Sequence, residues 1–319
     1  MLEHLAHHGL TPDRTDRVSG CLVGLAIGDA LGAPLEFLSR QQVRNRFPDG
    51  LREMIFSSLW NKGEYTDDTQ MALLIAESLL EKGRFVATDI AKRFQHWSRT
   101  AKDVGVQTIA VVNMARYTDD PEGCSSLYHA DNPDSSAGNG ALMRCAPVAL
   151  FYLNSLAHVI EFSRSCARVT HSDARAQSSC VILNTWIRTA ILNGIQDGRT
   201  EAFALLEQSE LGAWKKLASI ESYNEHDIAS SGYTVHTLEA AAWSFLTTES
   251  YEEAIVRAAN LGDDADTVAA VCGALAGAYY GYSAIPGRWR DQLQNEVRIR
   301  EIALTLGGYT DETSVDDRR

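Results

Sequence analysis

The sequence predicts an all-α protein, a single compact domain built from many helices. Apolar residues recur at helical spacing along most of the chain, whereas the alternation of apolar and polar residues that marks strands is nearly absent. No Asn-Gly pair joins two β-branched runs as a hairpin turn would. At 319 residues the chain could hold two domains, but no internal repeat, low-complexity tract or proline-rich linker divides it. One helical domain with a large core is therefore expected.

Ten segments show the helical period clearly. They are Val18–Leu31, Thr69–Glu81, Ala87–Ser98, Val106–Met114, Ala141–Leu153, Asp173–Leu192, Thr234–Leu246, Tyr251–Ala259, Asp266–Tyr279 and Gly287–Leu304. Asp89, Asp173 and Asp264 stand near the starts of three of them. A carboxylate at that position satisfies free backbone N–H groups and the helix dipole.

The helical domain is predicted to span residues 17–308. Residues 1–16 form an N-terminal extension, interpreted as flexible, and residues 309–319 form a charged tail. The N-terminus lacks the apolar segment of a signal peptide. The longest apolar run, Val268–Tyr282, is shorter than the roughly 18 residues that cross a membrane. We therefore expect no membrane association.

The charge of the chain also limits its partners. Lys and Arg number 29, and Asp and Glu number 42, which gives a net charge of −13. Such an acidic protein lacks the positive surface that binds nucleic acid or an anionic membrane. An anionic small ligand is compatible if a metal ion or a helix N-terminus supplies positive charge. None of the six cysteines lies in a Cys-x-x-Cys pair, so we predict buried thiols in a cytoplasmic protein.

Two acidic segments break the usual interleaving of carboxylates with Lys and Arg. Glu64–Met71 and Leu261–Val268 each precede an apolar helix and combine neighbouring carboxylates with a threonine. Helix capping explains either segment alone. If the two helix starts face each other, four carboxylates crowd one site and raise one another's pKa values. Mg²⁺ or Mn²⁺ relieves such crowding, and two ions about 3.5–4 Å apart fit the number of ligands. No His-x-x-x-His or cysteine pair stands nearby, which argues against zinc.

Two further segments have unusual composition. Gly24, Gly28 and Gly32 recur every four residues, so one helix face lacks side chains and is expected to pack closely against another helix. Asp29 lies in the same apolar run and needs a polar partner if it is buried. The loop Asp134–Arg144 is rich in Gly and Ser and precedes a helix, so its N–H groups could bind a phosphate, although such loops are more often turns.

Motifs along nearly the whole chain occur in the order of a known family. They are Gly28–Gly32 with Glu36, Tyr65–Thr69, Asp103–Gly105, Gly138–Arg144, Thr170–Asp173, Ser231–Tyr233 and Gly262–Thr267. Together they resemble the ADP-ribosylglycohydrolase family, which includes the dinitrogenase reductase-activating glycohydrolases and the ADP-ribosylarginine hydrolases. The resemblance covers about Arg17 to Gly308 and implies one all-helical domain with a two-metal centre at the base of a cleft.

The resemblance also implies roles for individual residues. The metal ligands would be Thr66, Asp67 and Asp68 on one side and Asp264, Asp266 and Thr267 on the other. The substrate-binding residues would be Asp29, Ser135, Gly138, Asn139, Gly140, His171, Gly232 and Tyr233. Ser135 and the Gly138–Gly140 loop would hold the diphosphate, and Tyr233 would stack on the adenine. His171 would lie near the diphosphate or the distal ribose, and a satisfied core histidine explains it equally well.

Three acidic positions carry open questions. Asp103 resembles the position beside the leaving group in arginine-specific members, but it could instead be the N-cap of the helix that begins at Val106. Glu36 lies where some relatives keep an acid that gates the cleft, and its alternative is a surface residue at a helix end. Asp263 stands where the family usually has glycine, and it would point either to solvent or behind the metal ligands.

These implications lead to an enzyme hypothesis. The chain would be a Mg²⁺- or Mn²⁺-dependent hydrolase that removes ADP-ribose from modified proteins, with arginine as the preferred acceptor. The metals would hold the ribose hydroxyls and lower the pKa of a water molecule. Its partner would be a mono-ADP-ribosylated protein. Two settings fit: reversal of regulatory ADP-ribosylation, as in the control of nitrogen fixation, and immunity against an ADP-ribosylating toxin.

Two other hypotheses stay open. The chain could be a binding protein that neutralises an ADP-ribosylating toxin by occluding it with the segment Met1–Asp16, which carries His4, His7 and His8. It could also be a hydrolase of free ADP-ribosylated metabolites. Assays on modified protein and on free ADP-ribosyl compounds separate the last hypothesis from the first.

Overall fold

Fifteen α-helices and several short 3₁₀ turns make up the regular structure of residues 12–308, the part of the chain that the computed structural model describes. The α-helices are α1 Pro12–Gly32, α2 Arg40–Arg46, α3 Asp67–Lys82, α4 Ala87–Trp97, α5 Val106–Met114, α6 Pro121–Asp131, α7 Ala146–Phe151, α8 Leu156–Arg168, α9 Ala174–Asn193, α10 Arg199–Phe203, α11 Thr234–Leu246, α12 Tyr251–Ala259, α13 Ala265–Tyr280, α14 Gly287–Arg290 and α15 Glu296–Gly308. Within this range no β-strand occurs, and one isolated bridge pairs Gly138 with Tyr233. The predicted all-α class is confirmed.

Helices α1 and α13 form the centre of the molecule and pack backbone against backbone. A Cβ atom added to Gly28 would lie 1.9 Å from the carbonyl oxygen of Ala269, and one added to Gly24 would lie 2.4 Å from that of Gly273. Only glycine allows this approach, because any side chain would push the helices apart. The predicted close packing of the glycine face is confirmed. We call this contact the glycine seam.

The first helix also has the length and composition of a membrane-spanning segment. Among residues 12–308, Asp13–Leu35 is long and apolar enough to cross a membrane, and its apolar stretch is wholly buried inside the protein. Burial by α13 therefore accounts for its composition. The six cysteines are likewise buried and unpaired, as predicted.

The structure reproduces several predicted helices and divides two others. The bounds predicted for α5, α11 and α12 agree with those observed. The segment Ala141–Leu153 is instead a 3₁₀ turn followed by α7, because Pro147 lacks the N–H that a continuous helix needs. Gly287–Leu304 is divided into α14 and α15, with Asn295 at a φ of +58° between them. The sequence patterns did not reveal the helices α2, α6, α8 and α10.

The predicted boundary at residue 16 lies inside α1, which begins at Pro12. The Asp16 carboxylate accepts hydrogen bonds from the backbone N and the hydroxyl of Ser283, at 3.0 and 2.7 Å. The end of the predicted extension is therefore part of the helical domain. Met1–Thr11, with the three histidines of the proposed toxin-blocking arm, and residues 309–319 lie outside the described residues.

Candidate active site

A cleft of about 510 Å³ lies where the N-terminal ends of α3 and α13 meet. Its walls come from these two helix starts, the end of the first 3₁₀ turn, the start of α5 and the Gly-rich loop before α7. The lining residues are Glu36, Phe37, Asp67, Asp68, Asp103–Thr108, Tyr128, Ser135, Gly138–Gly140, Met143, His171, Asp264, Asp266 and Thr267. The two acidic segments do face each other, as the sequence suggested.

The start of α3 is held in place from α1. Thr66 is the N-cap of α3, and its hydroxyl accepts a hydrogen bond from the Asp68 N–H at 3.4 Å. The Asp29 carboxylate accepts from the backbone N–H groups of Thr66 and Thr69, at 2.9 and 3.0 Å, and from the Thr69 hydroxyl at 2.6 Å. Because this network satisfies the helix end, the carboxylates of Asp67 and Asp68 are left to face the cleft.

Asp29 is therefore placed differently from the substrate contact that the resemblance implies. It is completely buried, it does not line the cleft, and both its carboxylate oxygens are used by the start of α3. Thr66 likewise lies behind the lining residues, where it also donates a hydrogen bond to Asp68 at 3.1 Å. Both residues position the acids of α3, and neither is among the residues that line the cleft.

The start of α13 supplies the opposite carboxylates. Asp264 occupies the N-cap position but makes no capping hydrogen bond, and its Oδ2 accepts one from the Asn139 amide at 2.9 Å. The Thr267 hydroxyl donates across the cleft to Oδ2 of Asp68 at 3.5 Å. Capping alone therefore does not account for these carboxylates, because Asp264 also binds Asn139 across the cleft. The glycine seam fixes where Asp266 and Thr267 stand because they begin the same helix.

Burial and mutual repulsion shift the titration of these acids. The pKa of Asp67 is raised to about 8, first by burial and then by the charges of Asp103 and Asp29. The pKa of Glu36 is raised to about 8 by burial and by Asp103. Burial also raises the pKa of Asp68 and Asp266 well above the ordinary carboxylate range. Among residues 12–308, no Lys or Arg forms a salt bridge with an acid of the cleft.

The donor set suits a hard divalent cation. Oδ1 of Asp68 is buried and has no hydrogen-bond partner among the described residues, which is costly for a carboxylate oxygen unless a cation binds it. The neighbouring groups are carboxylate and hydroxyl oxygens, the ligands that Mg²⁺ and Mn²⁺ prefer. Within the described part of the chain, no three His, Cys, Asp or Glu side chains converge as a ready-made metal site. The carboxylates would have to draw together around an ion.

Asp103 stands in the opposite wall and is not a helix cap. The N-cap of α5 is Gly105, which makes no side-chain capping bond, so the capping alternative for Asp103 is wrong. Its Oδ1 accepts a hydrogen bond from the next backbone N–H, that of Val104, at 2.7 Å. The adjacent Lys102 pairs with Glu64 at 2.5 Å and lies over the Trp60 ring, so it does not neutralise Asp103.

The Gly-rich loop is held by the segment before α11. Asn139 donates its N–H to the Gly232 carbonyl at 3.0 Å. Gly232 itself lies beside Asp264, because a Cβ atom added to Gly232 would be 3.1 Å from Oδ2 of Asp264. Tyr233 contacts the Arg175 guanidinium through its ring and its hydroxyl. Neither Gly232 nor Tyr233 lines the cleft, and an adenine stack on Tyr233 stays a prediction.

His171 is both buried and part of the cleft wall. It is 2% exposed, and its Nδ1 lies 2.7 Å from the hydroxyl of Thr170. Burial and the charge of Arg144 lower its pKa to about 3, so the ring is neutral at physiological pH. Its Nε2 would be 3.3 Å from a Cβ on either Gly138 or Gly140, which explains why both loop positions are glycine. The two alternatives for His171, a satisfied core histidine and a residue near the ligand, are therefore compatible.

Several lining residues were not identified from the sequence. Gln107 is buried, its amide donates to the Thr170 carbonyl at 3.1 Å, and its Oε1 has no partner among the described residues. Phe37 is 81% exposed at the mouth of the cleft, with a φ of +64° that is rare for a bulky residue. Its N–H donates to the carbonyl of Asp263, which is exposed and has a φ of +56°. The sequence hint to this loop pair was Asp263, which stands where the family usually has glycine.

Comparison with known proteins gives consistent matches over nearly the full chain. A model of the ADP-ribosylglycohydrolase family matches residues 10–315. An ADP-ribosylarginine hydrolase Tri1 from Serratia proteamaculans is 36% identical over 304 residues, which cover 91% of this chain and 79% of that protein. The ADP-ribosyl-[dinitrogen reductase] glycohydrolase of Rhodospirillum rubrum is 32% identical, with 91% and 94% covered. A solved structure of an ADP-ribosylglycohydrolase-related protein complex superposes with a TM-score of 0.80 at 35% identity, covering 94% of this chain and 99% of that one.

Proposed function

Because this chain belongs to the ADP-ribosylglycohydrolase family, we propose that it removes ADP-ribose from modified arginine side chains of proteins. The observation that carries the proposal is the charge of the cleft. Six carboxylates face a glycine loop, and the residues that line the cleft include no Lys or Arg to neutralise them. An acidic pocket attracts the cationic guanidinium of arginine. It would also bind cations that offset the charge of a diphosphate.

The reaction breaks the bond between C1 of the distal ribose and a guanidinium nitrogen. A water oxygen forms the new bond to C1, and a proton of that water is transferred to the departing nitrogen, so that arginine leaves as a guanidinium. Positive charge develops on the sugar as the bond breaks, and the acidic cleft stabilises it. Asp103 would face the guanidinium and move the proton between water and leaving group. Glu36, whose pKa of about 8 keeps it protonated at neutral pH without a cation, would close the cleft mouth beside it.

We propose that Mg²⁺ or Mn²⁺ binds between the two helix starts. The ligands would be Asp67 and Asp68 from α3 and Asp264, Asp266 and Thr267 from α13, with Thr66 behind them. When bound, the cations would hold the ribose hydroxyls and lower the pKa of a water molecule. The unpaired Oδ1 of Asp68 and the raised pKa values of these acids support this assignment.

The rest of the cleft would hold ADP-ribose. Ser135 and the Gly138–Gly140 loop would bind the diphosphate through backbone N–H groups, and Tyr233 would lie toward the adenine. We also propose that the reaction takes place in the cytoplasm, and the six buried, unpaired thiols support this because they suit a reducing compartment.

The test is a comparison of acceptors with the purified chain in Mg²⁺. Release of ADP-ribose is measured from a protein modified on arginine, from a protein modified on serine and from free ADP-ribosyl-arginine, with EDTA and Asp67→Ala as blanks. The proposal expects fast release from the arginine-modified protein and none in either blank. Equal release from the serine-modified protein would contradict the arginine assignment, and release unaffected by EDTA would contradict the metal.

A further inference from the structure

Arg144 carries a charge in the protein core. Its side chain is completely buried, with the guanidinium 4.6 Å from the centre of the Phe94 ring and Nη1 3.8 Å from the Met71 sulfur. Within residues 12–308, no carboxylate forms a salt bridge with it. A buried charge without an ion pair is costly and calls for a specific role. Its shortest polar contact, 2.6 Å, joins Nη2 to the hydroxyl of Thr170.

The contact with Thr170 determines which nitrogen of His171 carries the proton. A guanidinium has only donors, so Arg144 donates and the Thr170 oxygen accepts. The Thr170 hydroxyl hydrogen then points to Nδ1 of His171, 2.7 Å away, and Nδ1 must accept it. In a neutral ring the proton is therefore on Nε2. The reverse tautomer would leave the buried Thr170 hydroxyl without an acceptor among the described residues.

Thr170 is fixed at its other end as well. Its backbone carbonyl accepts the hydrogen bond of the Gln107 amide at 3.1 Å. The His171 ring, oriented through Nδ1, points its Nε2 at the Gly138–Gly140 loop, where an added Cβ on either glycine would be 3.3 Å away. The N–H of Nε2 consequently lies at the part of the cleft where the proposed function places an anionic ligand.

We propose that Arg144 and Thr170 are positioning residues that hold His171 as a permanent hydrogen-bond donor to the diphosphate oxygens of ADP-ribose. The inference rests on the proposed function for its ligand. An unprotonated Nε2 would direct a lone pair at an anion and repel it, so the tautomer decides whether the ring attracts the ligand. Arg144 and Asp173 are the charged groups that act on the ring, and burial with Arg144 keeps the His171 pKa low. The donor therefore stays neutral and unchanged over the pH range in which proteins work.

The test uses three substitutions of buried threonines and three measurements. Thr170→Val removes the hydroxyl that links Arg144 to His171, and Thr170→Ser restores it. Thr185→Val is the matched control, because the buried Thr185 hydroxyl has no partner among the described residues. Nitrogen NMR of ¹⁵N-histidine-labelled protein reports the tautomer of His171, and calorimetry reports the affinity for ADP-ribose in Mg²⁺. Melting temperatures of all variants show whether each one folds.

We expect the wild type, Thr170→Ser and Thr185→Val to show His171 protonated on Nε2 and to bind ADP-ribose equally, within about twofold. Thr170→Val should lose the single tautomer and bind about tenfold more weakly, as expected when a hydrogen bond to a charged group is lost. A wild-type ring protonated on Nδ1 would overturn the inference without any variant, as would full affinity in a folded Thr170→Val. A wild type that does not bind ADP-ribose would contradict the proposed function, while the NMR result would still decide the tautomer.

Discussion

Asp103 can lose its charge and still keep its backbone contact. Asn at this position keeps the shape and can still accept the hydrogen bond from Val104. It cannot take a proton or pair with a guanidinium. We expect Asp103→Asn to lower kcat by about 10²–10⁴-fold, the range for a general acid–base residue, and to keep ADP-ribose affinity within about threefold. Turnover on arginine-modified protein and calorimetry provide the two values.

The control for Asp103→Asn is Asp263→Asn. Asp263 is exposed and outside the cleft lining, and Asn tolerates its φ of +56° at least as well as Asp. This variant should keep wild-type turnover and stability. If Asp103→Asn also kept wild-type turnover, Asp103 would have no role in the chemistry, and the preference for arginine would lose its structural support.

Removing a metal ligand should affect activity and stability in opposite directions. Asp67→Ala or Asp266→Ala deletes one of several crowded carboxylates, so hydrolysis should be abolished while the metal-free fold keeps or gains stability. Each kcal/mol of relieved repulsion would raise the melting temperature of a chain of this length by about 1–2 °C. Mg²⁺ should raise the melting temperature of the wild type and much less that of either variant. A variant with wild-type turnover in Mg²⁺ would exclude that residue as a ligand.

At the residue scale, the sequence predicted those site residues that belong to contiguous motifs. The acids of the two helix starts and the Gly138–Gly140 loop are contiguous motifs, and the structure brings them to one cleft. Gln107 and Phe37 could not be predicted, because their relation to the site arises from the packing of distant segments. For the same reason Asp29 could be recognised as a residue that needs a partner, but the partner, the start of α3, could not.

At the scale of elements, disruption of the glycine seam should affect both the stability of the fold and the metal affinity of the cleft. Gly28→Ala places a methyl group 1.9 Å from the Ala269 carbonyl oxygen, so α1 and α13 must separate. We expect a loss of about 1–3 kcal/mol in the free energy of unfolding, with lower metal affinity because Asp29 and Asp266 move with these helices. Urea unfolding and a Mg²⁺ titration measure the two effects.

Gly212→Ala is the matched substitution for this experiment. An added Cβ at Gly212 meets no atom within 4 Å, so the same chemical change has open space around it. Its stability should be equal to or slightly above the wild-type value, because alanine restricts the unfolded chain. Equal stability of Gly28→Ala and Gly212→Ala would show that the seam tolerates a side chain.

Helix bounds were predictable where one apolar face continues to the end of the helix, as in α5, α11 and α12. They were not predictable where backbone conformation interrupts the apolar period. Pro147 and Asn295 mark the start of a new helix within segments whose side-chain pattern continues unbroken. The short helices α2 and α10 have too few residues to show a period at all.

At the scale of the whole molecule, the cleft acids should make stability depend on pH. The pKa of Asp67 and of Glu36 is about 8 in the fold, so each keeps its proton where the unfolded chain has lost it. Their contribution is fully present below the pKa of the unfolded carboxyl groups and is lost as the pH rises through 8. His171, with a pKa lowered to about 3, affects stability only below about pH 6.5, where the unfolded histidine is charged.

Melting temperatures at pH 6.5, 7.0 and 7.5 therefore isolate the carboxylates, because the buried thiols whose pKa values are raised by burial affect stability only at higher pH. In EDTA we expect the melting temperature to fall across this range, because the free energy of unfolding falls by up to about 1.4 kcal/mol per pH unit for each extra proton that the fold binds. In Mg²⁺ the fall should be smaller, because the cation favours the ionised carboxylates. A melting temperature in EDTA that stays constant or rises with pH would show that these acids are not protonated in the fold.

The glycine seam also has a genetic consequence. Both halves of the cleft are positioned by a contact between two backbones. A mutation that adds a single methyl group there can therefore abolish the reaction without altering any residue that contacts the substrate. A random mutagenesis screen for lost hydrolysis should thus return substitutions at Gly24, Gly28 and Gly273 as often as at the carboxylates. A genetic screen would thus assign the glycine seam, which is buried and has no reactive group, to the active site.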